Sequence, residues 1–254
     1  MKQTIALVIG LTVAFAGRAA AQQSLQQQNE QILQELKAIR QLLEKLAGPL
    51  NGAPAGAVPT TAPAPMPVSD NVKLANVTGY ILGKADAPLT MVEFTDLQCP
   101  FCRQFHTQAF EQIKKEYIDT GKLRYISRDF PLESIHPFAI PAARAARCAG
   151  DQGKFWDMRH VILINNATLN HDAFATFAGD LKMNVNAFKT CTADAEKFQA
   201  EIQKDLTDGS SVGIQGTPSF VIGKTSANGL DGVRLVGAQP FSAFDAKLKE
   251  LLAK

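Results

Sequence analysis

A surplus of either charge is missing from this sequence. Its 26 Lys and Arg face 24 Asp and Glu, and without Lys2 and Arg18 at the extreme N-terminus the balance is zero. That argues against a nucleic-acid or anionic-membrane partner. A membrane-length apolar run is missing too. Thr4 to Gly17 is apolar but too short to span a bilayer comfortably, and Arg18 interrupts it. Metal-ligand spacing is absent among His106, His136, His160 and His171, which read as surface or core residues, and a structural zinc site would need four close ligands. No metal and no cofactor is therefore expected. Cysteine is scarce, with only Cys99, Cys102, Cys148 and Cys191. Tryptophan occurs once, as Trp156, and with Phe155 it reads as core.

What is present falls into segments. Lys2, the short apolar stretch and Ala19-Ala20-Ala21 fit an export signal over residues 1–21, cleaved before Gln22. The alternative is a membrane anchor. Export implies an oxidising compartment, where disulfides persist. Residues 22–46 are rich in Gln, Glu, Leu and Lys. Leu25, Ile32, Ile39 and Leu46 recur every seven residues as d positions, with Asn29, Leu36 and Leu43 as a positions. This predicts a coiled coil and a homo-oligomer through residues 25–46; the alternative is one amphipathic helix lying on its own domain. Residues 47–70 hold Pro49, Pro54, Pro59, Pro63, Pro65 and Pro67 among Ala, Gly and Thr, and read as an extended linker.

From Asn71 to residue 254 the composition turns globular. Strands are expected at Val77–Leu82, Leu89–Thr95, Leu123–Phe130, Thr217–Ile222 and Val233–Val236. Helices are expected from the Cys pair to Asp119, through a block at about 131–194, over Ala195–Val212 and over Phe241–Leu252. The order β–β–α–β, helical block, α–β–β–α gives an α/β thioredoxin fold with a helical insertion after the third expected strand.

Between the apolar run Leu89–Thr95 and the helix that follows lies Cys99-Pro100-Phe101-Cys102. Two cysteines at this spacing between strand and helix read as a redox site. Cys99 as helix N-cap, with Pro100 at the first helical position, would face unpaired N–H groups and the positive end of the helix dipole. Both favour the thiolate, the attacking species. Cys102, one turn on, can resolve a mixed disulfide. Glu93 interrupts an apolar strand six residues earlier and reads as a proton acceptor for Cys102; otherwise it is a sheet-end residue that reaches water. His106, one turn past Cys102, has thiol tuning as its alternative role. Arg103 and Gln104 are expected to face solvent. In an exported chain the leftover pair Cys148 and Cys191 implies a structural disulfide, with a second redox pair as the alternative.

Glu-Phe-Thr-Asp-Leu-Gln-Cys-Pro-Phe-Cys, Ala-Gly-Asp-Gln-Gly-Lys-Phe-Trp and Gly-Thr-Pro-Ser-Phe-Val-Ile occur here in one chain. Together they resemble the DsbA-like thiol-disulfide oxidoreductases of bacterial envelopes, closest to the ScsC-type and DsbC/DsbG-like branch with an N-terminal self-association region. The resemblance covers about residues 75–252. It implies a periplasmic enzyme acting on exported proteins with thiols or disulfides and recycled by a membrane redox partner. It implies Cys99 as exposed nucleophile, Cys102 as buried resolving cysteine, Glu93 as buried acid, and Thr217-Pro218 as the loop facing the dithiol, with Pro218 cis. Such a loop would expose Thr217 backbone to a bound peptide. Thr217 matches the isomerase branch, and Phe101 replaces the His of the strongest oxidases. The alternatives are a monomer-like dithiol oxidase, or a non-enzymatic thiol protein binding Cu(I) through Cys99 and Cys102.

Overall fold

The computed structural model describes residues 26–28, 30–38, 40–41, 69–75, 77–226 and 229–253. The expected signal, residues 1–21, and the expected linker up to residue 68 lie outside them, as do Leu25, Asn29, Ile39, Leu43 and Leu46. The chain divides into two compact units, residues 1–62 and 63–254. In the first, residues 26–28, 30–38, 40 and 41 are helical. Ile32, Leu33 and Leu36 are all more than half exposed there.

The second unit is a six-stranded mixed sheet with helices on both faces. Its strands are β1 (Ser69–Leu74), β2 (Tyr80–Leu82), β3 (Leu89–Thr95), β4 (Leu123–Asp129), β5 (Ser219–Lys224) and β6 (Leu230–Val236). They lie in the order β1-β6-β5-β3-β4-β2. Only β3 and β4 run parallel, in register from Leu89 opposite Leu123 to Thr95 opposite Asp129. Strand β3 is central and buried along its whole length. That suits its continuous apolar run, since a strand covered on both faces loses the alternating pattern.

Strand β1 departs from the expected order. It starts at Ser69, inside the stretch read as linker, and pairs antiparallel with β6. Its sequence Ser-Asp-Asn-Val-Lys-Leu has the polar composition of an edge strand, so no apolar alternation marks it. The strand expected over Val77–Leu82 narrows to Tyr80–Leu82.

Helix α1 begins at Pro100–Phe105 and continues through a π-type turn at His106–Phe110, Glu111–Ile113 and a second π-type turn at Lys114–Ile118. It packs on one sheet face with α7 (Phe241–Leu252). There Phe105, Ala109, Phe110 and Ile113 meet Met91, Tyr125, Phe220 and Phe244. The opposite face buries Val92, Phe94, Ile126 and Val221. The period of two along β3 therefore sets Glu93 on the α1 side, with Leu89 and Met91.

The helical block is α2 (Ala139–Gly150), α3 (Phe155–Ile164), α4 (His171–Asp180) and α5 (Val185–Ala193), followed by α6 (Gln199–Ser211). Ala142, Ala145, Ala146 and Ala149 give α2 a flat face that packs with Met158, Ile162 and Phe188. The same cluster includes Leu97, Cys99 and Cys102, so the dithiol lies where the insertion meets the sheet. Cys148 of α2 and Cys191 of α5 are joined in a disulfide.

Candidate active site

The chain leaves β3, turns at Asp96 and enters α1. Asp96 is buried and holds this turn. Its Oδ1 accepts from Gln98 N at 2.8 Å, while its Oδ2 accepts from Leu132 N at 2.9 Å and pairs with His136 Nδ1 at 2.7 Å. The backbone N–H of Cys99 donates to Asp96 O at 3.0 Å. Pro100 then opens the helix with Cys99 as its N-cap.

Cys99 and Cys102 are free thiols. The expectation of an exposed nucleophile is corrected: Cys99 is only 3% exposed and Cys102 is fully buried. The covering elements are identifiable. Cys99 Sγ donates to Thr217 O at 3.5 Å, and Asn166 Nδ2, from the turn after α3, donates to Cys99 O at 2.9 Å. Phe101, between the cysteines, is 59% exposed. The Thr217–Pro218 peptide bond is cis. Arg103 and Gln104 are exposed.

The two thiols differ in acidity. Cys99 is lowered to about 6, first by the hydrogen bond from the Cys102 thiol, against the opposing effect of burial and with a smaller contribution from Thr217. Cys102 is raised well above a normal thiol, first by burial, then by its bond to Cys99, the Cys99 charge and the Glu93 charge. The helix N–H groups expected to face the Cys99 sulfur also contribute: the backbone N–H groups of Cys102 and Phe101 lower its pKa, after the larger effect of the Cys102 thiol.

Beneath Cys102 lies a polar cluster that the sequence reading largely missed. Glu93 is fully buried, which excludes the sheet-end alternative. Its Oε2 accepts from the Tyr125 hydroxyl and from Arg159 Nη2 in short hydrogen bonds. Its Oε1 has no hydrogen-bond partner. Arg159, on α3, is 1% exposed. Its Nη2 also donates to Tyr125 OH at 3.3 Å and its Nε to Ser127 Oγ at 3.2 Å. Burial works against the Arg159 charge, but Glu93 and Tyr125 outweigh it and its pKa is raised. The Arg159 side chain then reaches His106, which contacts His160 in turn. The one local signal for this cluster is a charged residue inside the apolar helix Phe155–Ile164, since Glu93 and Arg159 lie 66 residues apart.

Phe155 is buried and stacks on Tyr80 with ring centroids 3.6 Å apart. Trp156 is half-buried and donates to Ile81 O at 3.3 Å. Among the described residues no group of three or more His, Cys, Asp or Glu could hold a metal ion. Among them, too, no helix is long and apolar enough to cross a membrane.

A buried dithiol at a strand-to-helix junction, with a buried carboxylate below and a cis-proline loop above, defines a thioredoxin-fold dithiol protein with a helical insertion. The chain belongs to the thioredoxin family, whose model matches residues 75–234. Its DsbA-like architecture is shared with alpha-DsbA1 of Wolbachia pipientis, at 27% identity, a TM-score of 0.62, and coverage of 71% of this chain and 94% of that one. BdbD of Bacillus subtilis shares the fold at 23% identity and a TM-score of 0.60, over 73% of this chain and all of the other. Curated relatives include Na(+)/H(+) antiporter NhaA 1 of Salinispora arenicola, 31% identical over 165 residues, which are 65% of this chain and 24% of the relative. The same-named protein of Mycolicibacterium gilvum is 32% identical over 63% of this chain and 26% of its own length. The chain thus spans about a quarter of the length of these curated relatives.

Proposed function

We propose that this chain catalyses thiol–disulfide exchange in exported proteins, as isomerisation, oxidation or both, through Cys99 and Cys102. The observation that carries this reading is the opposed acidity of two adjacent thiols. Cys99, at about 6, is mostly thiolate at neutral pH, while Cys102 is held as the thiol. In oxidation a substrate thiolate attacks Cys99 of the oxidised pair. The resulting mixed disulfide is released by a second substrate thiol, and both enzyme cysteines end reduced. In isomerisation the Cys99 thiolate attacks a wrong substrate disulfide, and Cys102 provides escape from a stalled mixed disulfide. A more stable Cys99 thiolate favours the reduced enzyme and makes the oxidised form a stronger oxidant. Glu93 serves as the proton acceptor for Cys102, and its unpartnered Oε1 supports that role.

The wider reading is a periplasmic protein, delivered by the signal at residues 1–21 and recycled by a membrane redox partner. It self-associates through the coiled-coil segment. The exposure of Ile32 and Leu36, a d and an a position, supports association through that face. Thr217 and Phe101 lean toward isomerase activity. The test is reactivation of a substrate with scrambled disulfides, run beside oxidation of a reduced dithiol substrate. The mature full chain is compared with its Ile32→Lys/Leu36→Lys variant. Reshuffling by the wild type and oxidation alone by the variant supports an associated isomerase. Oxidation without reshuffling by both leaves a dithiol oxidase and removes the isomerase reading.

A further inference from the structure

The hydrogen bonds beneath the dithiol have a forced direction. A guanidinium has donors only. The 3.5 Å contact from Arg159 Nη1 to His106 Nδ1 therefore makes that nitrogen an acceptor. His106 is 3% exposed, and burial, then Arg159, then His160 lower its pKa to about 3. It is neutral, and its single proton sits on Nε2. Nε2 lies 2.8 Å from His160 Nδ1, so His160 accepts there. His160 itself is exposed. A run of Arg159 to His106 to His160 thus joins the buried Glu93 partner to solvent. The titratable groups facing this run at Arg159 are Glu93 on β3, Tyr125 and Asp129 on β4, and Cys102 on α1. The Phe110 ring stacks on His106, and the Arg159 guanidinium lies 5.6 Å from the Trp156 ring centroid.

We propose that His106 and His160 are a pair of positioning residues that hold Arg159 on Glu93 and couple the resolving step of Cys102 to protonation at the surface. The proposal rests on the exchange reading above. Protonated His160 carries a hydrogen on Nδ1, which would meet the His106 N–H head-on at 2.8 Å. The contact must break, by His160 turning to water or by His106 moving. Either leaves a buried donor without its acceptor and loosens the Arg159 anchor. With the anchor in place, Arg159 and Tyr125 both hold Glu93 Oε2, and Oε1 is the open acceptor. In the resolving step the Cys102 proton passes to that oxygen. The Cys102 thiolate then attacks Cys99 Sγ and forms the Cys99–Cys102 bond. The bond from Cys99 to the substrate sulfur breaks, and that sulfur leaves as a thiolate.

The test mixes reduced full-length chain with an equimolar amount of dithiobis(nitrobenzoate) and follows release of the coloured thiolate. The first phase reports attack by Cys99, and the second reports resolution by Cys102. Wild type is compared with His160→Asn, which keeps an oxygen acceptor in place of Nδ1 but does not titrate, and with His160→Ala, which has neither. Across a pH series the second-phase rate of His160→Asn relative to wild type should be near one at the alkaline end. Toward the acid end it should rise roughly tenfold, as expected for a lost buried hydrogen bond. His160→Ala should be slow at every pH, and the first phase should be alike in all three. A pH-independent ratio, or an Ala variant as fast as wild type, overturns the proposal while leaving the exchange reading intact. A wild-type chain with no second phase overturns both.

Discussion

The largest single cause of the Cys99 acidity is one neighbouring hydrogen, on the Cys102 thiol, which makes it testable by a single substitution. Alkylation of Cys99 in the reduced chain should follow a midpoint at about pH 6. Cys102→Ala should move that midpoint up toward an ordinary thiol, because the leading cause of the shift is gone. The sign of the linked stability follows. A lowered folded-state value means that the Cys99 contribution to the reduced form is full above the unfolded value of about 8.5. It is lost as the pH falls through about 6. Thermal melts of the reduced chain between those limits should show this loss, and Cys99→Ser should remove it. A second expectation concerns the buried pair. Glu93→Leu or Arg159→Met alone leaves an uncompensated buried charge and should cost about 3–5 kcal/mol in denaturant melts. The double variant should recover most of that. Cys99, Cys102, Glu93 and Thr217 were legible because motif and spacing are local. Tyr125 and Arg159 were not, because their partner lies 32 and 66 residues away and only folding joins them.

Among the elements, two were legible over their full length. Leu89–Thr95 and Phe241–Leu252 have the same limits in the sequence pattern and in the structure. Each has a clear apolar pattern and sharp boundaries. Strand β1 was missed because an edge strand needs no apolar face, and what holds it is pairing with β6, far along the chain. The helical insertion has its own fastening. The Cys148–Cys191 bond spans 43 residues, and removing it by Cys148→Ser/Cys191→Ser should cost about 3–4 kcal/mol on the chain-entropy account. Exchange at Cys99 should survive in the folded fraction. Loss of exchange without loss of stability would instead make the pair a second redox centre. Helix α1 is anchored by Phe105, which is 1% exposed and lies 4.6 Å from Phe220 and 5.3 Å from Phe244 by ring centroid. Phe105→Ala should cost about 3–5 kcal/mol, read as a lower denaturant midpoint.

At the scale of the whole molecule, the two compact units carry separate parts of the account. On the proposed coiled coil, Ile32→Lys/Leu36→Lys at these two exposed positions should reduce the sedimenting mass and leave the redox domain folded. An unchanged mass would remove the coiled-coil reading. The redox domain carries the central claim, that Cys99 exchanges a disulfide with a substrate and Cys102 completes the cycle. The most direct measurement takes full-length chain with its dithiol oxidised, adds a reduced dithiol peptide, and follows the peptide disulfide by mass. The account predicts one disulfide transferred per chain and none from Cys99→Ser; when the peptide is instead supplied in its disulfide form to reduced chain, an adduct should accumulate on Cys99 in Cys102→Ala, with the second peptide sulfur leaving as a thiolate. Transfer that persists without Cys99, or none from the wild type, would contradict it.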